Sequence, residues 1–550
     1  MSPFSLVVLV LSMIVSATAT NTFAANIPEE SLIQKNYPKE VSLNQVVKFV
    51  PIAGHHFNLK APQECGGAEP LNATPMEIQC QFAAAGEQNL DLKICDDKVT
   101  FCKSEIFKMK VKGNAKNKTK TPTASVFKPK GQIPMAKGFL VNSPDKAIAQ
   151  AKKENKLIFI DFYAIWCPPC NMFDELVFEE KSFIEKSKPF VKLKLDVDSD
   201  VSWNLKSKFA IRGYPTIVVT NSDLQEIGRV VGYRSTAALG TWIDQQTQNR
   251  SEPLVALSAK KDLTTDQKKR LGEWYFETKK YDLAIEHLSS LSDTRSGVLL
   301  MQAKIDSLAK DKTKEKIDLL KKALNKFPEE VDSISWLNDL VEADPKVAAP
   351  FIAKLDERLT KMDQQTKLDE AGYTKADLYS YAGEIWDTAG KREKSEESFS
   401  KAADAYGEMA RKSNLKSSRG PNLERAYCLN KAGRTKEAVA LYESMVEAYP
   451  KEFTFNFSYA NALNKLDQAE KALPFSEKAV EYAYGDNWLR AVSLNAKINM
   501  KLKKFDAAEK IVKSALEKTT VPTQNNLRTP QLYSQLQTLL TEIETKKVTK

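Results

Sequence analysis

Residues Leu157 to Ala164 form an apolar, β-prone run that leads through Trp166 directly into Cys167-Pro168-Pro169-Cys170. This stretch constrains the local fold more tightly than any other. A proline has no N–H to give to a strand ladder, but it suits the first turn of a helix, where that N–H would be unsatisfied anyway. The strand therefore hands over to a helix at Cys167. A cysteine at a helix N-terminus faces the positive end of the dipole, which favours the thiolate, the attacking form. Cys170 lies one turn further on, placed to resolve a mixed disulfide. Two other uses of the pair compete with a redox dithiol. A structural zinc needs four nitrogen or sulfur ligands, and residues 138–247 hold no histidine and no further cysteine. A static disulfide is the other alternative, but a pair with a two-residue loop between its cysteines at a helix start is reducible and suits exchange.

Further residues around the dithiol carry a resemblance. Asp161 sits on the strand six residues before Cys167, Trp166 immediately precedes it, and Arg212-Gly213-Tyr214-Pro215-Thr216 follows downstream. In this order the stretch resembles the thioredoxin family over roughly residues 138–247. The resemblance implies an α/β thioredoxin fold. It implies Cys167 as nucleophile, Cys170 as resolving cysteine, Asp161 as a buried proton carrier and Pro215 as a cis-proline beside the dithiol. Trp166, Pro168, Tyr214 and Thr216 are the implied substrate contacts. Leu193 to Val197 and Thr216 to Thr220 read as the next strands, and Gly228 and Gly232 as the turn of the last hairpin. The alternative for Asp161 is a carboxylate at the core edge without a catalytic role.

The chain has 550 residues, room for three or four domains. Leu6 to Ala19 is apolar, too short to span a membrane and of the length of a secretory h-region. Small residues follow, so cleavage near Ala25 is expected. The segment before it has no Lys or Arg, which keeps an uncleaved anchor as the alternative. No cysteine follows the run, which argues against a lipoprotein. Export to a bacterial periplasm permits disulfides, and six of the seven cysteines lie within the first 170 residues.

Residues 26–112 show short alternating runs: Val46 to Val50, Met76 to Phe82, Leu90 to Ile94 and Glu105 to Val111. Turn signals such as Glu69-Pro70 and Asp96-Asp97 separate them. A small β-sandwich is the natural architecture. Its four cysteines allow three pairings; we favour Cys65 with Cys80 and Cys95 with Cys102. The segment from Ile94 to Lys103 resembles the paired-cysteine segment of the N-terminal periplasmic domain of DsbD thiol:disulfide interchange proteins. That resemblance implies a redox-active Cys95–Cys102, and an exchange with Cys167–Cys170 that would leave a trapped mixed disulfide in a Cys170→Ala variant. The competing reading is two structural staples in a small secreted domain. His55 and His56 are neighbours on a strand and face opposite ways, so joint metal binding is not expected.

Nine lysines and no acid fall between Lys108 and Lys137, nearly the whole net charge of +10. With Pro122, Pro129 and Pro134, residues 113–137 read as an extended tether. With Phe127 as the single aromatic of residues 113–137, this charge does not indicate nucleic-acid binding.

Residues 252–545 switch to helical periodicity. Gly433, Ala438, Tyr442 and Pro450 form one pattern, Ala472 follows Ala438 by 34 residues, and Ala508 follows two residues beyond another period. Gly272, Tyr275, Tyr281 and Ala284, and Gly383, Trp386, Gly390, Phe399 and Ala402, fit the same template, with Leu320, Ala323 and Pro328 as half a unit. The pattern resembles tetratricopeptide repeats, helical pairs whose small residues allow close approach. Residues 331–375 fit poorly and read as irregular helix. Cys428 lies mid-helix and reads as a small buried hydrophobe.

Together these readings give an N-terminal β-sandwich, a thioredoxin-like domain over 138–249 and a helical-repeat solenoid over 252–545. The expected function is reduction or isomerisation of protein disulfides. No small cofactor or metal is expected, a separate membrane-bound thiol protein would serve as reductant, and the repeats would dock a protein or peptide. The competing class is a repeat scaffold in which the dithiol domain is a redox-sensitive adaptor.

Overall fold

The computed structural model describes residues 31–112 apart from 36, 43–45, 59–62, 66–69, 71, 83–85 and 98–101, and then residues 136–309, 312–521 and 528–548. The expected leader and most of the tether lie outside the described residues. The chain divides into two compact units, Met1–Thr123 and Ala124–Lys550.

The first unit is built from eight strands: β1 (Glu40–Ser42), β2 (Val46–Phe49), β3 (His55–Phe57), β4 (Glu64–Cys65), β5 (Asn72–Thr74), β6 (Glu77–Gln81), β7 (Gly86–Asp96) and β8 (Cys102–Lys112). β1, β8, β7, β3 and β4 make one sheet, and β2, β6 and β5 the other. The inward positions of both, among them Val47, Phe49, Ile78, Leu90, Leu92, Ile94 and Met109, share one apolar core. A disulfide joins Cys65 on β4 to Cys80 on β6, and so staples one sheet to the other. A second joins Cys95 to Cys102, opposite residues of the β7–β8 ladder. Three of the lysines grouped with the basic stretch belong to β8: Lys108 pairs with Glu87, and Lys110 and Lys112 with Glu40. The period-2 alternation of Glu105, Met109 and Val111 inward holds that stretch in the sheet despite its charge.

The second unit begins with β9 (Leu140–Val141), α1 (Pro144–Glu154), β10 (Leu157–Tyr163), α2 (Pro168–Leu176), α3 (Lys181–Lys186) and β11 (Phe190–Asp196). It continues through α4 (Trp203–Lys208), β12 (Thr216–Thr220), β13 (Glu226–Val231) and α5 (Thr236–Gln248). The sheet order is β13-β12-β10-β11-β9, with β10 parallel to β11 and antiparallel to β12. All seven residues of β10 are buried, because a central strand covered on both faces reads as a continuous apolar run. The last hairpin turns at Asn221 to Gln225, where the Asn221 side chain accepts from the Asp223 and Gln225 N–H groups. The expectation that Gly228 marks this turn is therefore corrected. Gly228 lies within β13, where a Cβ would fall 2.1 Å from Gln246 Oε1 of α5; close helix packing, not a turn, selects glycine there.

From Leu254 onward the described residues form helices. The recurring small residues sit where helices of a pair touch. A Cβ on Gly272 would lie 2.6 Å from Leu288, and one on Gly383 would lie 2.8 Å from the Phe399 ring. Ala284, Ala402, Ala438, Ala472 and Ala508 are fully buried. Residues 331–375 break into four short helices, Ser333–Ala343, Pro345–Ile352, Leu355–Met362 and Gln365–Ala371. Pro345 opens the second of these with Asp344 as its cap, and Gly372 ends the last in a left-handed conformation.

Candidate active site

Cys167 occupies the N-cap of α2, with Pro168 at the first helical position, and is disulfide-bonded to Cys170. Pro168 and Pro169 remove two N–H donors from the helix start, so the first one available is that of Cys170, which donates to Cys167 Sγ at 3.3 Å. The Tyr214–Pro215 peptide bond is cis and Pro215 is buried. Tyr214 meets the Trp166 ring edge-on, with centroids 6.1 Å apart. Thr216 opens β12, and its hydroxyl donates to the Gly213 carbonyl inside the domain.

Asp161 lies on β10, fully buried, opposite Lys194 of β11. Lys194 Nζ bonds Asp161 Oδ2 at 2.6 Å and Asp174 Oδ1 of α2 at 2.8 Å. One ammonium is thus shared by two carboxyl groups in a buried site. Burial pushes the Asp161 carboxyl up, against the pull of Lys194. Burial also disfavours the Lys194 charge, yet the two acids hold its pKa above the ordinary lysine value. With Lys194 charged, one carboxylate suffices for neutrality, so the group can take up one proton at Asp161. Asp161 Oδ1 has no hydrogen-bond partner, which leaves it open to carry that proton. Sequence reasoning missed Lys194 and Asp174. Its available signal was the lysine of Leu193-Lys194-Leu195, a charge inside an otherwise buried strand.

The helical repeats cover this site. Glu175, near the end of α2, accepts from Ser418 Oγ at 2.7 Å and from the N–H groups of Arg419 and Gly420 at 2.8 and 3.1 Å. It supplies the capping acceptor for the helix Gly420–Lys431, whose own N-cap residue provides none. Burial raises the Glu175 carboxyl, and these hydrogen bonds oppose the shift. Gly420 is pressed against the first turn of α2, where a Cβ would lie 2.4 Å from the Pro168 carbonyl oxygen. Thr454 donates to the Ile165 carbonyl at 3.4 Å. At the end of β11, Tyr484 donates to Asp196 Oδ2. Asp198 Oδ2 accepts from both Trp166 Nε1 and Asn487 Nδ2 at 2.8 Å. Arg490 and Arg528 stand 5.3 and 5.2 Å from the Trp166 ring centre. Phe453, Ala479, Tyr484 and Ala491 complete the apolar cluster that contains both cysteines. Cys167 and Cys170 are 3% and 1% exposed. These partners lie more than 240 residues beyond the dithiol, and no sequence signal links them to it.

Elsewhere, Cys102 is exposed and Cys95 buried. His55 and His56 are half-buried on β3, with His56 beside Asp97 at 3.3 Å. Cys428 is buried in its helix, and burial pushes its thiol up to about 12. Among the described residues no cluster of His, Cys, Asp or Glu could hold a metal, and no helix is long and apolar enough to cross a membrane.

Fold and site together define a thioredoxin domain joined to tetratricopeptide-type helical repeats. The thioredoxin family model matches residues 140–245, and a tetratricopeptide repeat model matches 423–452. Thioredoxin C-3 of Corynebacterium nephridii is 31% identical over 93 residues, 17% of this chain and 60% of that protein. The thiol:disulfide interchange protein DsbD of Vibrio cholerae is 30% identical over 104 residues, 18% of this chain and 17% of that protein. This chain thus spans less than two thirds of either relative. A solved tetratricopeptide repeat protein from Parabacteroides merdae aligns over 50% of this chain and 98% of its own, at 14% identity and a TM-score of 0.30.

Proposed function

We propose that the chain is an exported thiol:disulfide oxidoreductase that reduces or isomerises protein disulfides. The observation that carries this reading is the Cys167–Cys170 pair at the start of α2, in a domain that also holds cis-Pro215 and the buried Asp161–Lys194–Asp174 group, whose Asp174 lies on the same helix. In the reducing direction, the Cys167 thiolate attacks one sulfur of a substrate disulfide. The substrate S–S bond breaks, a mixed disulfide forms, and the other substrate sulfur leaves as a thiolate. Asp161 takes the Cys170 proton. Cys170 Sγ then attacks Cys167 Sγ, releasing the second substrate sulfur and forming Cys167–Cys170. Two electrons pass from the dithiol to the substrate, and a separate thiol protein returns them. The electrons travel on sulfur throughout, so the cycle requires no small-molecule cofactor. The paired prolines withhold donors that would stabilise the Cys167 thiolate, which favours a reducing or intermediate couple; equilibration with glutathione buffers giving a potential near about −120 mV, that of a strong oxidant, would overturn this direction. The two disulfides of the first unit are the support for an oxidising compartment.

The test is insulin reduction with dithiothreitol by the wild type beside Cys167→Ser. Turnover lost in the variant supports the dithiol as catalyst. No turnover by a wild type whose Cys167 is shown to be accessible would favour the scaffold reading.

A further inference from the structure

We propose that the repeats hold the dithiol in a capped resting state, and that disulfide exchange requires Ser418–Gly420 and Tyr484–Arg490 to leave it. This inference rests on the oxidoreductase reading and concerns regulation of the same site. The attack on a disulfide needs the substrate sulfur in contact with Cys167 Sγ, and Cys167 is 3% exposed. The surface that a substrate chain would occupy is already filled: Gly420 lies on the Pro168 carbonyl, Thr454 reaches the Ile165 carbonyl, and Arg490 stands over Trp166.

The cap is specific. Gly420 and Gly485 both sit where any Cβ would clash with backbone of the thioredoxin domain, at Pro168 and at Asp198. Glu175 is at once a residue of α2 and the capping acceptor of a repeat helix. The cap is also suited to release. Much of its contact is polar: Glu175 with Ser418, Arg419 and Gly420, Asp196 with Tyr484, and Asp198 with Asn487. Water can replace each of these polar partners on opening, while the apolar contacts of Phe453, Ala479 and Ala491 are the part that holds the cap closed. The two parts belong to one chain, so reclosure is intramolecular and efficient.

The test uses the full-length chain, reduced and then treated with iodoacetamide under native conditions, with Cys167 alkylation followed by peptide mass spectrometry. The wild type is compared with the double variant Glu175→Ala/Asn487→Ala, and both with the chain unfolded in urea. The expected result is protection of wild-type Cys167 by about tenfold or more relative to the unfolded chain. The double variant should lose most of that protection and reduce insulin faster by a similar factor. If the double variant does not fold, wild-type alkylation at urea concentrations below the unfolding transition replaces it; local release of the cap then appears as a rise in rate before global unfolding. Wild-type Cys167 reacting as fast as in the unfolded chain overturns the cap, whatever the insulin result. A protected wild type and an exposed variant, neither of which reduces insulin, sustain the cap and remove the oxidoreductase reading.

Discussion

Cys95–Cys102 and Cys167–Cys170 are both short-range pairs, seven and three residues apart, yet they meet solvent differently. Cys102 is exposed on strand β8, across the ladder from its buried partner. Both sulfurs of the second pair are buried, although that pair sits at the helix start that should make it the more reactive. The difference teaches that reactivity here has two parts. The local motif sets how good a nucleophile Cys167 can be, and remote helices decide whether anything reaches it.

The sharpest way to break this comparison is to disturb what covers one pair alone. Arg419 and Glu452 form an ion pair with both side chains at most 1% exposed, beside the Glu175 contact. Arg419→Ala leaves the Glu452 charge without its guanidinium in a buried site, at a cost of about 3–5 kcal/mol. Denaturation should show this loss in the transition of residues 124–550, with that of the first unit unmoved. If both transitions shift together, the two pairs do not report on separate units.

Removing the staples of the first unit is the next largest effect. Loop entropy assigns about 3 kcal/mol to Cys65–Cys80, which closes 15 residues, and about 2.4 kcal/mol to Cys95–Cys102, which closes seven. Cys65→Ser/Cys80→Ser should therefore lower stability more than Cys95→Ser/Cys102→Ser. Equal losses would mean that the cross-strand pair is as structural as the inter-sheet one.

Limiting dithiothreitol sharpens the contrast directly. Cys95–Cys102 should be reduced ahead of Cys167–Cys170 by about tenfold, the factor that ~1.4 kcal/mol of opening imposes. Mass spectrometry after quenching with N-ethylmaleimide reads the order, and simultaneous reduction would remove the distinction.

The last contrast is a pH dependence at the covered site. Burial, with the neighbouring Asp198 charge, raises the Asp196 carboxyl to about 7. The folded chain then keeps a proton that the unfolded chain has released above about pH 4. Asp196 therefore contributes stability that declines as pH rises through that window and is gone above about 7, with a slope of at most about 1.4 kcal/mol per pH unit. Asp196→Asn should flatten that part of the profile in thermal melts between about pH 4 and 8, which spans the window from the unfolded to the folded value. An unchanged profile would place the proton elsewhere.

Much of the architecture was legible in the sequence because its determinants are local. The apolar run into Cys167-Pro168-Pro169-Cys170 can only be a strand entering a helix. The alternation around Leu90 to Ile94 marks a half-buried strand. The spacing of Gly383, Phe399 and Ala402 records contacts within one helical pair. Lys194 was harder: its meaning depends on its register opposite Asp161, and register is a property of the sheet. Gly228 was misread as a turn because glycine serves close packing as well as turns, and its neighbour Gln246 is set by how α5 folds back. What the sequence alone determined was the class of each element and the presence of a dithiol at a helix start, since backbone sterics and periodicity act over a few residues. Only the tertiary structure decided that Glu175 caps a helix of the repeats, that Asp198 joins Trp166 to Asn487, and that both sulfurs are buried. Those contacts join residues more than 240 positions apart, and packing selects them through complementary shape and hydrogen bonding that no local pattern encodes.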